Sequence, residues 1–177
     1  MTPLPTCVVV MGVSGAGKTT VAVALARRLG WEFGEGDDHH PKANVDKMRA
    51  GIPLDDDDRK PWLRELARWI GEHEAAGRNC VLTCSALKRS YRDILRQGNE
   101  GVWFAHVDVP EAVLAERLSS RQGHYMPPSL LTSQLATLEP LHPDEPGITV
   151  PGTGDANQVV DAILAALARD RGIQRSR

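Results

Sequence analysis

The sequence lacks most of the features that assign a chain to a class at once. Its three cysteines, Cys7, Cys80 and Cys84, make no metal-binding spacing. An odd count of thiols in apolar runs suits a reducing compartment better than a disulfide framework. A formal net charge of −2 supplies no global field for nucleic acid or an acidic membrane. No apolar run approaches the length of a membrane span, and residues 1–5 have neither the basic region nor the apolar stretch of a secretory leader. Repeats, low-complexity tracts and linkers are missing too, so the 177 residues read as one domain. With 41% hydrophobic and 25% charged residues, the expectation is a soluble cytoplasmic protein with no nucleic-acid or membrane partner.

What is present centres on one stretch. Gly12-Val13-Ser14-Gly15-Ala16-Gly17-Lys18-Thr19 fits the phosphate-loop pattern G-x-x-x-x-G-K-[ST] at every fixed position. Cys7–Met11 before it has the length of a buried strand, and Val21, Leu25 and Leu29 after it recur at helical spacing. A glycine-rich turn there closes backbone N–H groups around a polyphosphate, and the helix dipole adds positive potential. Lys18 is expected to reach the β- and γ-phosphates, and the Thr19 hydroxyl to ligate Mg²⁺. Gly12, Ser14, Gly15, Ala16, Gly17 and Thr20 complete the expected nucleotide contacts. The chain reads as a binder of a nucleoside triphosphate.

Further on, Trp31-Glu32-Phe33 leads into Gly34-Glu35-Gly36-Asp37-Asp38-His39-His40-Pro41, a short second strand and its exit. Ligands of open parallel sheets bind beyond the carboxyl ends of the strands, which turns Glu35 and Asp37 towards the phosphate loop. The plain alternative is a solvated turn with a cap before Pro41. Residues 41–50 read as a short helix ended by Gly51 and Pro53. Leu54 to Leu63 reads as an acidic loop opening another helix, with Pro61 in its first turn and an Asp before it as cap. Most of Asp55 to Asp58 reads as capping and solvated. Arg49 and Arg59 fall in the lobe after the second strand, where an arginine fork suits a carboxylate or phosphate.

Residues 79–84 read as a third strand that does not end in Asp. Asp108, at the end of a fourth, is either a metal ligand or a helix cap. Glu35 or Asp37 is preferred as the acidic partner of Mg²⁺, through water, since that ion keeps several waters. The helix over residues 110–122 places Arg117 and Arg121 four apart on its surface. With the break at 123–128 and a helix capped by Ser129, it predicts a lid over roughly residues 117–138 that closes on the triphosphate. Residues 148–150 form a last strand, and the Gly-rich loop 151–157 is placed near the nucleotide base. Residues 169–177 hold four arginines and are expected to fray, with a disordered basic tail from about 170.

Taken together, these blocks resemble the gluconokinase family: Gly12 to Thr19, Gly36-Asp37 with His40-Pro41, Asn44 with Lys47-Met48, Gly51 with Pro53-Leu54, Asp58-Arg59 with Pro61-Trp62-Leu63, Cys84 to Lys88 with Tyr91-Arg92-Asp93, and Arg121 with Gly123-His124. The match runs from the phosphate loop through Glu139. It implies an α/β P-loop NTPase three-layer sandwich of the shikimate-kinase and nucleoside-monophosphate-kinase type, with a five-stranded parallel sheet, a helical lid and commonly a homodimer. It implies ATP and Mg²⁺ as cofactors and D-gluconate as the acceptor, phosphorylated at its 6-hydroxyl. Where the family often has Asp-x-Asp, this chain has Glu35-Gly36-Asp37.

The expected catalytic residues are then Lys18, Asp37 and Arg121, with Arg117 and Arg121 joining the nucleotide contacts. Asp37, His40, Arg49, Arg59 and Lys88 are the acceptor-site candidates, and Thr19 with Glu35 the metal candidates. Asp37 is expected to orient the acceptor hydroxyl and take its proton late in the transfer. Two alternatives stay open: a shikimate or nucleoside-monophosphate kinase, and a nucleotide-sensing module without transfer activity. Four tryptophans and an acidic loop do not suggest a base pocket on the acceptor side.

Overall fold

The computed structural model describes residues 4–120 and 128–173. Five strands, β1 (Cys7–Met11), β2 (Glu32–Glu35), β3 (Cys80–Thr83), β4 (Val102–Asp108) and β5 (Gly147–Pro151), form one sheet in the order β2-β3-β1-β4-β5. Every pairing is parallel, with Val8 opposite Val81 on one side and Trp103 on the other. β1, β3 and β4 are buried apolar runs, as a sheet covered on both faces requires.

The helices are α1 (Lys18–Leu29), α2 (Lys42–Arg49), α3 (Asp56–Ala75), α4 (Arg89–Arg96), α5 (Glu111–Ser120), α6 (Pro128–Thr137) and α7 (Ala156–Arg171). α1 packs with α7, and α3 with α4. Among the described residues no helix is long and apolar enough to cross a membrane. The strand order decides where chemistry collects. β1 is central, so its phosphate loop leaves the middle of the sheet. Loops after β2 and β3 emerge on one side of it and loops after β4 and β5 on the other.

Two local readings need correction. The second acidic helix begins earlier than expected: Asp55 is its N-cap, accepting the Asp58 N–H while the Asp58 carboxylate accepts the Asp55 N–H. This reciprocal box satisfies two donors at once and outcompetes a start at Pro61. Pro61 therefore sits in the second turn, where its missing N–H leaves the Asp57 carbonyl without a helical donor. The C-terminal helix also runs further, through Arg171 with Gly172 as its left-handed cap. Asp170 accepts the Trp103 indole N–H at 3.3 Å, which holds a turn expected to fray. Residues 174–177 lie outside the described residues.

One buried ion pair ties α4 to the segment that leads into β5. Arg92 on α4 and Glu145 before β5 are both fully buried. Arg92 spends all five of its donors: two on Glu145 (2.7 and 2.9 Å) and three on the carbonyls of Ala86, Glu139 and Pro140. Burial pushes the Glu145 carboxyl up, but the Arg92 hydrogen bonds outweigh it and hold the group below the usual range. Arg92→Met strands that carboxylate and is expected to cost about 3–5 kcal/mol in urea unfolding. The double variant Arg92→Met/Glu145→Leu should recover part of the loss; no recovery would show that the carbonyl bonds, not the charge pair, dominate.

Candidate active site

The phosphate loop is built as its sequence demands. Gly17 takes a left-handed φ of 87° as the N-cap of α1, a conformation that strains any residue with a Cβ. Lys18 Nζ donates to the carbonyls of Gly12 and Val13, both at 3.0 Å. Beneath the loop, His106 on β4 is buried and burial lowers its pKa, so a neutral ring lies under Gly12. Next to the loop opens a cavity of about 350 Å³, lined by Gly15, Ala16, Gly17, Thr20, Arg117 and Gly152 among others. Arg117 donates to the carbonyls of Gly15 (3.1 Å) and Gly152 (2.8 Å), joining the phosphate loop to the β5–α7 loop. The Gly-rich loop 151–157 thus borders this cavity. Arg121 lies outside the described residues.

A second feature sits at the start of α1. The Glu35 carboxylate accepts from the Thr19 hydroxyl at 2.8 Å and, with its other oxygen, from the Thr83 hydroxyl. Thr83 Oγ1 in turn accepts the Gly36 N–H at 3.0 Å. Gly36 passes so close to β3 that a Cβ would lie 1.9 Å from the Thr83 carbonyl oxygen. No other residue fits there. Among the described residues no group of three His, Cys, Asp or Glu side chains gathers to hold a metal. The corner instead offers hydroxyls and one carboxylate, the donor set of a hard cation that keeps much of its water. Asp108 is exposed, and its carbonyl takes the Gly152 N–H at 2.8 Å.

On the side where the β2 exit lies, a smaller cavity of about 100 Å³ is lined by Ser14, Lys18, Asp37, His40, Arg59 and Gln134 among others. His40 is stacked on Trp62, with ring centroids 4.0 Å apart and 18° between planes. Burial, aided by the Arg59 charge, lowers its pKa to about 4. The Asn44 amide nitrogen lies 3.2 Å from His40 Nδ1 and also donates to the Asp58 carbonyl. An amide nitrogen only donates, so Nδ1 is the acceptor and the ring proton sits on Nε2, 3.8 Å from Asp37. A neutral donor and an exposed carboxylate therefore face each other across the cavity mouth.

Arg59 is buried, 9% exposed, yet has no ion-pair partner among the described residues. Its guanidinium donates to the Tyr91 hydroxyl at 2.9 Å and lies 5.3 Å from that ring's centre. The Tyr91 hydroxyl in turn donates a hydrogen bond to Asp56, which also accepts from Lys88 at 3.1 Å. These two donors, Tyr91 first, hold the Asp56 carboxyl below the usual range. Lys88 therefore stands behind Tyr91 and does not line the cavity. Arg49, at the end of α2, is exposed and does not line it either.

Asn44, Tyr91, Asp56, Thr83 and Gln134 had no assigned role on sequence grounds. Asn44 was readable as the polar residue of a short helix with no apolar face, and Gln134 as the polar member of the stripe Leu131-Gln134-Leu135-Leu138. Asp56, Tyr91 and Thr83 act across separations of 32 residues or more, which no local pattern reveals.

The protein-family model described as an AAA domain matches residues 7–141. A gluconokinase from Gluconobacter oxydans (strain 621H) is 54% identical over 160 residues, 90% of each chain. Two solved structures align over nearly the whole chain. A sugar kinase from Janibacter sp. HTCC2649 is 49% identical with a TM-score of 0.89, covering 96% of this chain and 98% of its own. A gluconokinase from Sinorhizobium meliloti 1021 is 47% identical with a TM-score of 0.83, covering 95% and 94%. The fold is that of the P-loop small-molecule kinases, and the phosphate loop, the Glu35 corner and the acceptor cavity all fall inside the matched length. This chain belongs to the gluconokinase family.

Proposed function

We propose that the protein transfers the γ-phosphoryl group of ATP to the 6-hydroxyl of D-gluconate, giving 6-phospho-D-gluconate. One observation carries the acceptor assignment: Arg59, a buried guanidinium with no carboxylate partner among the described residues, lines a cavity that also holds Asp37 and Lys18. A buried cation without a counter-ion favours an anionic ligand. Asp37 orients the acceptor hydroxyl and accepts its proton, His40 Nε2–H donates to a neighbouring hydroxyl, and Arg59 pairs with the carboxylate. Lys18 and Arg117 balance the triphosphate charge, with Arg121 as the further lid arginine.

Thr19 and Glu35 would hold Mg²⁺, which when bound neutralises phosphate charge. The residues from Arg117 through α6 form the lid of this reading. Three free, buried thiols support a cytoplasmic setting, and family membership supports a homodimer.

With Mg²⁺-ATP, D-gluconate should be phosphorylated while glucose, shikimate and AMP are essentially untouched in a coupled assay. Glucose leaves Arg59 unpaired, AMP needs a flat base site, and the rigid ring of shikimate places its hydroxyls differently from an open chain. Turnover of one of these in place of gluconate would move the acceptor assignment; turnover of none of the four would favour a nucleotide-sensing module.

Asp37→Asn preserves shape and removes the proton acceptor. Turnover is expected to fall by roughly two to four orders of magnitude with ATP affinity nearly unchanged. Normal turnover in this variant would make Asp37 a turn residue.

The His40 ring also sets a pH dependence of stability. Its folded pKa of about 4 lies below the 6.5 of an ordinary histidine. The stability it contributes is complete above about pH 6.5 and is lost as pH falls towards 4. The urea midpoint of the protein should drop across that window, and His40→Gln should flatten the drop, leaving the smaller share due to His106. Identical slopes in the two proteins would show that His40 titrates normally.

A further inference from the structure

Gln134 reaches from α6 to the phosphate loop. Its Oε1 accepts the Ser14 backbone N–H at 2.8 Å, and its Nε2 donates to Ser14 Oγ at 3.3 Å. The amide orientation is dictated by chemistry: a backbone N–H only donates, so it must face the oxygen, which leaves the NH₂ group to the hydroxyl.

Ser14 stands at the seam between the two cavities. Gly15, Ala16, Gly17 and Thr20 line the larger one, whereas Ser14 and Lys18 line the smaller one with Asp37 and Gln134. In phosphoryl transfer the terminal phosphate is the group that faces the acceptor. The Ser14 N–H is therefore the phosphate-loop donor placed for that group, and here a side-chain oxygen takes it, imitating a phosphate oxygen.

We propose that Gln134 is a positioning residue that caps the terminal-phosphate donor of the phosphate loop between turnovers and yields it to the γ-phosphoryl group of a bound triphosphate. The proposal rests on reading the two cavities as nucleotide and acceptor sites. A neutral amide suits the task because its bond is weaker than the charge-assisted bond a phosphate oxygen makes with the same N–H. A diphosphate ends short of Ser14 and leaves the cap in place.

The test is calorimetric binding of the Mg²⁺ complexes of a non-hydrolysable ATP analogue and of ADP to the unsubstituted protein, Gln134→Ala and Gln134→Glu. Removing the competitor in Gln134→Ala should tighten the triphosphate about fivefold, the worth of one net hydrogen bond, and leave ADP unchanged. Gln134→Glu sets a like charge beside the terminal phosphate and should weaken the triphosphate by about tenfold or more, again sparing ADP. Gln134→Asn, too short to reach Ser14, should match Gln134→Ala and replaces it if that variant melts early.

Equal shifts for both nucleotides, or none for either, would overturn the proposal while leaving the kinase reading intact. Binding of neither nucleotide by the unsubstituted protein would overturn both.

Discussion

The Glu35 carboxylate is the point from which the rest of the site is hung. One oxygen accepts from Thr19 in the first turn of α1, and the other from Thr83 at the end of β3. Its own backbone closes β2 opposite Thr83. Three elements far apart in sequence are thereby fixed at one spot, and the span between Lys18 and Asp37 follows from it. Glutamate has one methylene more than the aspartate often found here in the family, and in this chain that reach serves both threonines. Committing the Thr19 proton to Glu35 has a chemical consequence as well. A hydroxyl whose hydrogen is engaged presents its lone pairs outward, which is what a hard cation takes. The corner is thus a structural junction whose outward lone pairs fit the Mg²⁺ role proposed for Thr19 and Glu35.

On the acceptor side the organising quantity is uncompensated charge. Arg59 is buried without a carboxylate partner among the described residues, and it hydrogen-bonds a phenol. The nearby negative charge belongs to Asp56, one step removed through Tyr91 and already shared with Lys88. This spacing lets the protein hold the guanidinium in place without neutralising it. An Asp directly on Arg59 would stabilise the empty protein and compete with an acidic ligand. The acidic run is therefore divided: Asp55 and Asp58 build the helix end, Asp58 also pairs with Lys47 at 2.8 Å, and Asp56 steadies the cavity.

The phosphate loop, the strands around it and the end of β2 at Glu35 were legible in the sequence because each rests on short-range pattern. Asp37, by contrast, lies in a 3-10 turn over Gly36–His39 just beyond the strand. The five-stranded parallel sheet was implied by the family resemblance, whereas its strand order appears only in the structure. Arg49 and Arg59 show the limit. By residue type both suit an anionic acceptor, yet one ends exposed and the other buried. Helical phase separates them: Arg59, Trp62, Leu63, Leu66 and Ile70 share the spacing of one face, and all are buried. Arg49 closes a two-turn helix whose buried residue is Asn44. Phase was available for Arg59, but the Tyr91 and Asp56 that hold it were not, since their contacts span more than thirty residues.

The two attachments of α6 differ in kind, and the difference orders the site in time. Just beyond its C-terminal end, Glu139 donates its N–H to the Leu87 carbonyl at 2.6 Å. The carbonyls of Glu139 and Pro140 are held by Arg92, itself locked to Glu145 without solvent contact. Breaking that attachment strands a buried charge, so it persists through any event short of unfolding. Where α6 meets the phosphate loop the bonds are neutral, two in number and made by one side chain. Bonds of that kind exchange readily with a competing acceptor. A phosphate arriving at Ser14 therefore acts on the weaker of two attachments that lie less than two turns apart near the C-terminal end of α6. In the proposed scheme, nucleotide occupancy reaches the smaller cavity through Gln134 while the Arg92 and Glu145 pair stays intact.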